Sequence, residues 1–151
     1  MHSIHLVAIN VRSALNVGSF FRTADAFGVE KVWLAGYTPT PNHASVKKTA
    51  LGAEMTVKWE SVPDAIACLE RLRADGIKLI ALECGVPRTI SLRDVEIDGP
   101  CAIVVGNEVD GLSRLQMEKC DIIAEIPQVG TKESLNVSVT AGIGIWHLLG
   151  L

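Results

Sequence analysis

Polar side chains and glycines collect in three segments of the chain, each directly after a short apolar run. The segments are residues 10–22, residues 106–113 and residues 127–136. They contain amides, hydroxyls, arginines and carboxylates, which are groups that can orient a substrate and stabilise an anion. Packing alone does not require this combination after three different runs.

Each segment also has an ordinary structural interpretation. Asn16 could belong to the cap of a helix, and Ser134 or Asn136 could cap the last helix. Gly106 and Gly111 could supply positive φ angles in turns. These interpretations do not explain why capping residues and glycines recur after three separate runs.

The apolar runs are typical of strands, and the stretches between them are typical of helices. Helices are predicted at residues 17–27, from Ser61 as N-cap to Gly76, after Ser113, and at residues 135–149. Strands are predicted at Ile4–Ile9, Lys31–Ala35, residues 56–59, Lys78–Leu82, Cys101–Val105 and residues 122–126. This alternation predicts an α/β domain with a mainly parallel sheet flanked by helices.

The polar segments follow strands of this predicted sheet. Because the carboxyl ends of parallel strands lie at one edge, the three segments are expected to converge on a single site. Residues 36–45 are predicted to form a solvated loop that leads to Lys47 and Lys48, the only adjacent basic pair.

Composition limits the classes of function and location. The net charge is −3, so binding of a nucleic acid would need a local basic patch. The four cysteines show no C-x-x-C pair and no histidine at zinc spacing, which favours reduced structural thiols and no metal. No signal peptide or membrane-spanning run is recognised, so a cytoplasmic location without membrane contact is expected.

Three motifs in the polar segments resemble those of a known family. They are N-x-G-x-x-x-R from residue 16 to 22, continued as RTADAFG, then IVVGNEVDGLS at residues 103–113 and IPQVGTKESLNVSV at residues 126–139. They resemble, in the same order, the signature motifs of the SpoU (TrmH-type) RNA 2′-O-ribose methyltransferases of the SPOUT superfamily. The resemblance covers essentially the whole chain.

This resemblance implies a fold and an assembly that the residue pattern alone does not give. The fold would contain a deep trefoil knot in the C-terminal half of the sheet. A homodimer would place two active sites near its interface. The implied reaction is transfer of a methyl group from S-adenosylmethionine to a ribose 2′-hydroxyl of a tRNA or ribosomal RNA nucleotide.

The resemblance also assigns positions to the cofactor. The residues expected to bind S-adenosylmethionine are Leu82, Gly106, Ile126, Ser134 and Leu135. Adenine and ribose are well served by backbone N–H and C=O groups of apolar loops, which require no special side chain.

Five side chains are expected to serve catalysis: Arg22, Asn16, Glu108, Ser134 and Asn136. Arginine stays protonated, which disfavours a general-base role for Arg22 and favours a bidentate fork on an RNA phosphate. Asn16 would orient Arg22 or the ribose, with Glu108 as the hydrogen-bonding counterpart. Ser134 and Asn136 would close the site beside the methyl donor.

RNA capture is expected to depend on a small set of cations within one catalytic domain, residues 1–151, without an appended RNA-binding domain. The candidate phosphate contacts are Arg12, Arg22, Lys47, Lys48 and Lys132.

Two alternatives come from other classes of function. The first is a nucleotide-dependent oxidoreductase, because Gly142-Ile-Gly144 superficially resembles a dinucleotide fingerprint. This run lies, however, within the final helix pattern rather than at a strand-to-helix turn. A catalytically inert RNA-binding or assembly module would keep the fold without needing all five catalytic candidates. The final helix is apolar nearly all round, which predicts burial in the core or in a dimer interface.

Overall fold

The apolar runs form parallel strands, and helices connect them. The computed structural model describes residues 1–151. The strands are β1 (Ile4–Ile9), β2 (Lys31–Ala35), β3 (Trp59–Val62), β4 (Lys78–Leu82), β5 (Ile90–Ser91), β6 (Cys101–Val105) and β7 (Ile122–Glu125). The α-helices are α1 (Ala14–Phe27), α2 (Ala44–Ala50), α3 (Ala65–Ala74), α4 (Arg114–Glu118) and α5 (Val137–Leu149).

All the strands belong to one parallel sheet in the order β3-β2-β1-β6-β4-β7-β5. Alternate residues of β1 enter two separate cores. Leu6 lies in the core that includes Phe20 of α1 and Ile145 of α5, whereas Val7 packs in the core that includes Leu69 of α3. The strands are therefore buried on both faces, as their continuous apolar sequences indicate. The predicted α/β fold with a mainly parallel sheet is confirmed.

Two late strands enter the sheet between strands that precede them in sequence. β6 lies between β1 and β4, and β7 lies between β4 and β5. This order is compatible with the trefoil knot that the resemblance implies, and the knot itself stays a prediction.

The boundaries around β3 and α3 differ from the prediction at residues 56–59 and at Ser61. A 3₁₀ turn at Ala53–Met55 precedes the strand, and the backbone N–H of Val57 closes this region onto Ala53. Extended backbone therefore begins only at Trp59. Ser61 pairs within the sheet instead of capping a helix, because Asp64 caps α3 by accepting from the Ala67 N–H at 3.0 Å.

The predicted loop at residues 36–45 ends in a helix that the sequence pattern does not indicate. His43 caps α2, since its Nδ1 accepts from the Ser45 N–H at 3.1 Å. Lys47 and Lys48 consequently lie on an ordered helix that packs on α1, rather than beyond a solvated turn. The short strand β5 is also absent from the prediction.

Helix α5 packs into the core on one side only. The expected burial in the core is met by that side, and burial of the other side in a dimer interface stays a prediction. Gly144 faces the core, where a Cβ would lie 2.6 Å from a methyl of Leu82. Val139, Ile143 and Trp146 remain 48%, 38% and 51% exposed. The outer side of α5 is therefore an apolar surface. None of the helices is long and apolar enough to span a membrane.

Three of the cysteines, Cys68, Cys101 and Cys120, act as packing residues. All four are free thiols, and burial raises the pKa of Cys101 to about 11 and that of Cys120 to about 12. These thiols stay protonated at neutral pH and behave as small apolar groups.

Candidate active site

A cavity of about 840 Å³ opens at the carboxyl edge of the sheet. Its walls come from the loops after β4, β6 and β7 and from the start of α5, which is where open parallel sheets bind ligands. The lining includes all five positions predicted for the cofactor: Leu82, Gly106, Ile126, Ser134 and Leu135.

Gly106 allows the loop after β6 to fold back on itself. A Cβ at this position would lie 2.6 Å from the carbonyl carbon of Gly111 and 2.7 Å from the backbone nitrogen of Leu112. Any side chain would therefore displace backbone rather than a flexible group. The turn is further fixed by Glu83, whose Oε2 accepts from the Leu112 N–H at 2.8 Å.

Asn107 stabilises the same turn and is not among the predicted site residues. Its Oδ1 accepts from the N–H groups of Val109 and Asp110 at 2.8 and 2.9 Å. Its Nδ2 donates to the carbonyl of Asn10 at 3.0 Å and to the hydroxyl of Tyr37 at 2.9 Å. The Gly-Asn pair that directly follows β6 is a turn signal, but nothing in the sequence identifies these distant partners.

Glu108 joins the loop after β6 to the beginning of α1. Its carboxylate accepts from the backbone N–H groups of Arg12 and Ser13 at 3.0 and 2.9 Å, and from Nδ2 of Asn16 at 3.4 Å. Partial desolvation opposes ionisation of Glu108, but these hydrogen bonds outweigh it and lower the pKa of the carboxyl. The ionised carboxylate of Glu108 therefore stabilises the N-terminus of α1.

Asn136 connects the third polar segment to the other two. Its Nδ2 donates to Oδ1 of Asn16 at 3.3 Å, and its own Oδ1 caps α5 by accepting from the Ser138 N–H at 2.9 Å. Asn16 thus contacts both Glu108 and Asn136. The structure brings the three polar segments together through this one amide.

Arg22 lies apart from this cluster. It is exposed on α1, about 9 Å further along the helix axis than Asn16, and makes no hydrogen bond or ion pair. Asn16 contacts Glu108 and Asn136 and makes no hydrogen bond to Arg22. That Asn16 orients Arg22 or the ribose stays a prediction. Ser134 is exposed in the loop before α5 and lines the cavity.

The predicted RNA-binding cations have no acidic partners in the fold. Of the fourteen Lys and Arg residues, six form ion pairs with carboxylates and eight do not. All five predicted phosphate contacts belong to the unpaired group, and all are exposed: Arg12, Arg22, Lys47, Lys48 and Lys132.

Comparison with known proteins identifies relatives over nearly the whole chain. The model of the SpoU rRNA Methylase family matches residues 3–146. A 23S rRNA (guanosine-2′-O-)-methyltransferase RlmB of Nitrosomonas europaea is 38% identical over 142 residues, which are 94% of this chain and 54% of the relative. The chain therefore spans about half the length of the curated relatives that it matches.

Solved structures give the same picture. The TrmH/SpoU tRNA modifying enzyme of A. aeolicus has a TM-score of 0.85 at 28% identity, covering 97% of this chain and 73% of that one. The SpoU methyltransferase AviRb of Streptomyces viridochromogenes, in complex with the cofactor AdoMet, has a TM-score of 0.84 at 25% identity. That match covers 95% of this chain and 56% of AviRb.

Replacement of Glu108 by Gln should lower the free energy of unfolding at neutral pH by about 1–2 kcal/mol, since the backbone N–H groups of Arg12 and Ser13 lose a charged acceptor. The pKa of Glu108 is lowered in the fold from its ordinary 4.5, so its contribution is present above pH 4.5 and is lost as pH falls through the folded value. Urea unfolding should therefore show a smaller difference between Glu108→Gln and wild type in acid.

The matched control is Glu118→Gln, which removes the same charge from an exposed ion pair with Arg114 on α4. This change should alter stability by less than about 0.5 kcal/mol. Equal losses of unfolding free energy in the two variants, or a loss in Glu108→Gln that is independent of pH, would contradict the stabilising role of the Glu108 carboxylate.

Proposed function

Since the chain belongs to the SpoU rRNA methylase family, we propose that it transfers a methyl group from S-adenosylmethionine to the ribose 2′-hydroxyl of an RNA nucleotide. The observation that carries this proposal is the cavity at the sheet edge. All three motifs of the family contribute to it or to the hydrogen bonds around it.

The charge of the cavity fits S-adenosylmethionine. Its lining contains four carboxylates and no lysine or arginine; these acidic residues are Glu83, Glu108, Asp110 and Glu133. S-adenosylmethionine bears a sulfonium and an ammonium against one carboxylate, so a site of this charge favours it. The pyrophosphate of a dinucleotide would be repelled. The acidic lining therefore argues against the oxidoreductase alternative.

Backbone groups at the predicted positions can hold the neutral parts of the cofactor. Leu82 is the last residue of β4 and Ile126 directly follows β7, and the close turn at Gly106 leaves no side chain between backbone and cavity. When bound, the cofactor supplies an activated methyl group. The chain itself has to place a ribose hydroxyl in line with it, and such positioning can contribute on the order of 7–11 kcal/mol.

Three of the five catalytic candidates are better described as positioning residues. Their side chains form hydrogen bonds with one another and with the helix termini; these residues are Glu108, Asn16 and Asn136. They hold the loops around the cavity at fixed separation. Arg22 and Ser134 keep free polar groups for the substrate. We assign Arg22 to the phosphate beside the reacting ribose, where its planar fork orients the RNA and stabilises the developing oxyanion.

The proposed assembly is a homodimer that uses the outer side of α5. Val139, Ile143 and Trp146 form an apolar groove with Ser19 and neighbouring residues of α1. Exposed apolar surface of this kind marks an interface. Arg22 is one helical turn beyond Ser19, so it borders this groove. Dimerisation would bring Arg22 close to a second chain.

The proposed substrate is a tRNA or ribosomal RNA. An acidic protein needs a local basic surface to bind RNA. Unpaired cations provide this surface, and they lie on the loop before α1, on α1 and on α2. Mass spectrometry of nucleosides from total RNA, with and without the gene, should identify one lost 2′-O-methyl nucleoside. Retention of every 2′-O-methyl nucleoside would favour the inert RNA-binding module.

Addition of S-adenosylmethionine or its demethylated product should raise the melting temperature, because a ligand that binds only the folded state stabilises it by mass action. NAD should produce no shift, since the acidic cavity repels its pyrophosphate. Differential scanning fluorimetry measures both. A shift with NAD and none with S-adenosylmethionine would overturn the cofactor assignment.

Replacement of Arg22 by Ala should lower single-turnover methylation by about 100-fold or more while leaving cofactor affinity and melting temperature close to wild type. Arg22→Lys should also be severely impaired, because an ammonium cannot reproduce the bidentate fork. Arg93→Ala, which removes another unpaired arginine away from the cavity, is the matched control and should retain activity. Near-normal methylation by Arg22→Lys would refute the bidentate contact of Arg22 with the phosphate.

Light scattering should give the mass of two chains, twice 16.2 kDa, for the wild-type protein. Trp146→Asp should weaken this dimer, because it places a charge in the apolar groove. Leu115→Asp is the control, since Leu115 on α4 is 53% exposed and Trp146 is 51% exposed. A wild-type mass of one chain at working concentration, or equal dissociation by both variants, would exclude the α5 interface.

A further inference from the structure

Tyr37 is exposed and yet held at both ends. It is the only tyrosine of the chain, and 61% of its surface is accessible. Its hydroxyl accepts from Nδ2 of Asn107 at 2.9 Å, and its backbone N–H donates to Oδ1 of Asn10 at 3.1 Å. Because the tip and the backbone are both engaged, the exposed part of the side chain is the aromatic ring.

The backbone on each side of Tyr37 is also fixed. The N–H of Gly36 donates to the carbonyl of Val62 at 2.9 Å. Thr38 is 4% exposed, and its hydroxyl lies 3.0 Å from the carbonyl of Ala8 and accepts from the Val11 N–H at 3.1 Å. The ring is therefore a rigid feature of the surface, although it contributes little apolar burial to the fold.

The position of Tyr37 relates it to the candidate active site. Asn107, its partner, is 8% exposed and lines the cavity, whereas Tyr37 itself stands outside the lining. Asn10 precedes the loop that carries Arg12, one of the unpaired cations. The ring thus lies at the rim between the acidic cavity and the basic surface.

We propose that the ring of Tyr37 is a stacking platform for an unpaired base of the substrate RNA, at or beside the nucleotide that is methylated. This inference rests on the proposed function for its substrate class. The acidic cavity repels phosphates, so RNA has to approach along the basic surface and reach the rim first. Proteins commonly read single-stranded RNA by stacking splayed bases on aromatic rings. A ring that is already fixed loses little entropy on doing so.

Three substitutions separate stacking from support of Asn107. Tyr37→Phe keeps the ring and loses the hydrogen bond to Asn107, whereas Tyr37→Ala and Tyr37→Leu lose the aromatic face as well. Stacking predicts that Ala and Leu raise the Kd for a short single-stranded RNA of mixed sequence by about 5- to 150-fold, while Phe stays within about threefold of wild type. Cofactor affinity should be unchanged in all three variants.

A purely structural role predicts a different result. If Tyr37 serves only to hold Asn107, then Phe should be as damaging as Ala, and both should weaken S-adenosylmethionine binding through the cavity wall. That result would overturn the proposal.

A spectroscopic measurement tests the platform without relying on activity. Because Tyr37 is the only tyrosine, incorporation of meta-fluorotyrosine gives a single fluorine resonance. This resonance should shift when the single-stranded RNA is added and should stay in place with inorganic polyphosphate, which has charge but no base. No shift with RNA, or equal shifts with both polymers, would overturn the proposal.

The two hypotheses fail in distinguishable ways. A resonance that shifts with RNA in a protein that transfers no methyl group would support the platform and refute the proposed reaction. Efficient methylation with an unmoved resonance and a normal KM for RNA in Tyr37→Ala would refute the platform alone.

Discussion

The hydrogen bonds between the Glu108 carboxylate and the backbone directly before α1 are the interaction on which the candidate site depends. A helix N-terminus presents backbone N–H groups that need acceptors. Here the acceptor is the carboxylate of Glu108, in the loop that follows β6. The same carboxylate contacts Asn16, which in turn contacts Asn136 at the start of α5. These hydrogen bonds fix two helices and a loop around one cavity. In the sequence, the same side chains look like separate helix caps.

The acidic groups of the cavity and the unpaired cations lie on different parts of the molecule. Carboxylates line the cavity, whereas cations without acidic partners lie on the loop before α1, on α1 and on α2. This separation reconciles a net charge of −3 with the proposed RNA substrate, because each proposed ligand would meet a surface of opposite sign. The net charge of the whole chain sums the acidic cavity and the basic surface, so it indicates neither of them.

The sheet and the convergence of the polar segments follow from the sequence because both depend on local patterns. Continuous apolar strands predict a parallel sheet, and a parallel sheet has one carboxyl edge. Contacts between distant residues are not encoded in such patterns. The hydrogen bond that fixes Tyr37 to Asn107 joins residues seventy positions apart, so residues 36–45 look like an ordinary solvated loop. Similarly, the all-round apolar sequence of α5 cannot distinguish a core from an exposed apolar side.

The strand order has a consequence for synthesis on the ribosome. β4 pairs only with β6 and β7, and β5 pairs only with β7. Until β6 and β7 have been synthesised, β4 and β5 therefore have no partners, and β1 has an open edge. The early chain can assemble only the β1–β2–β3 part of the sheet. Synthesis of β6 and β7 is the step that converts an aggregation-prone nascent intermediate into the complete sheet, so premature termination before β7 would yield chains destined for chaperones or proteases.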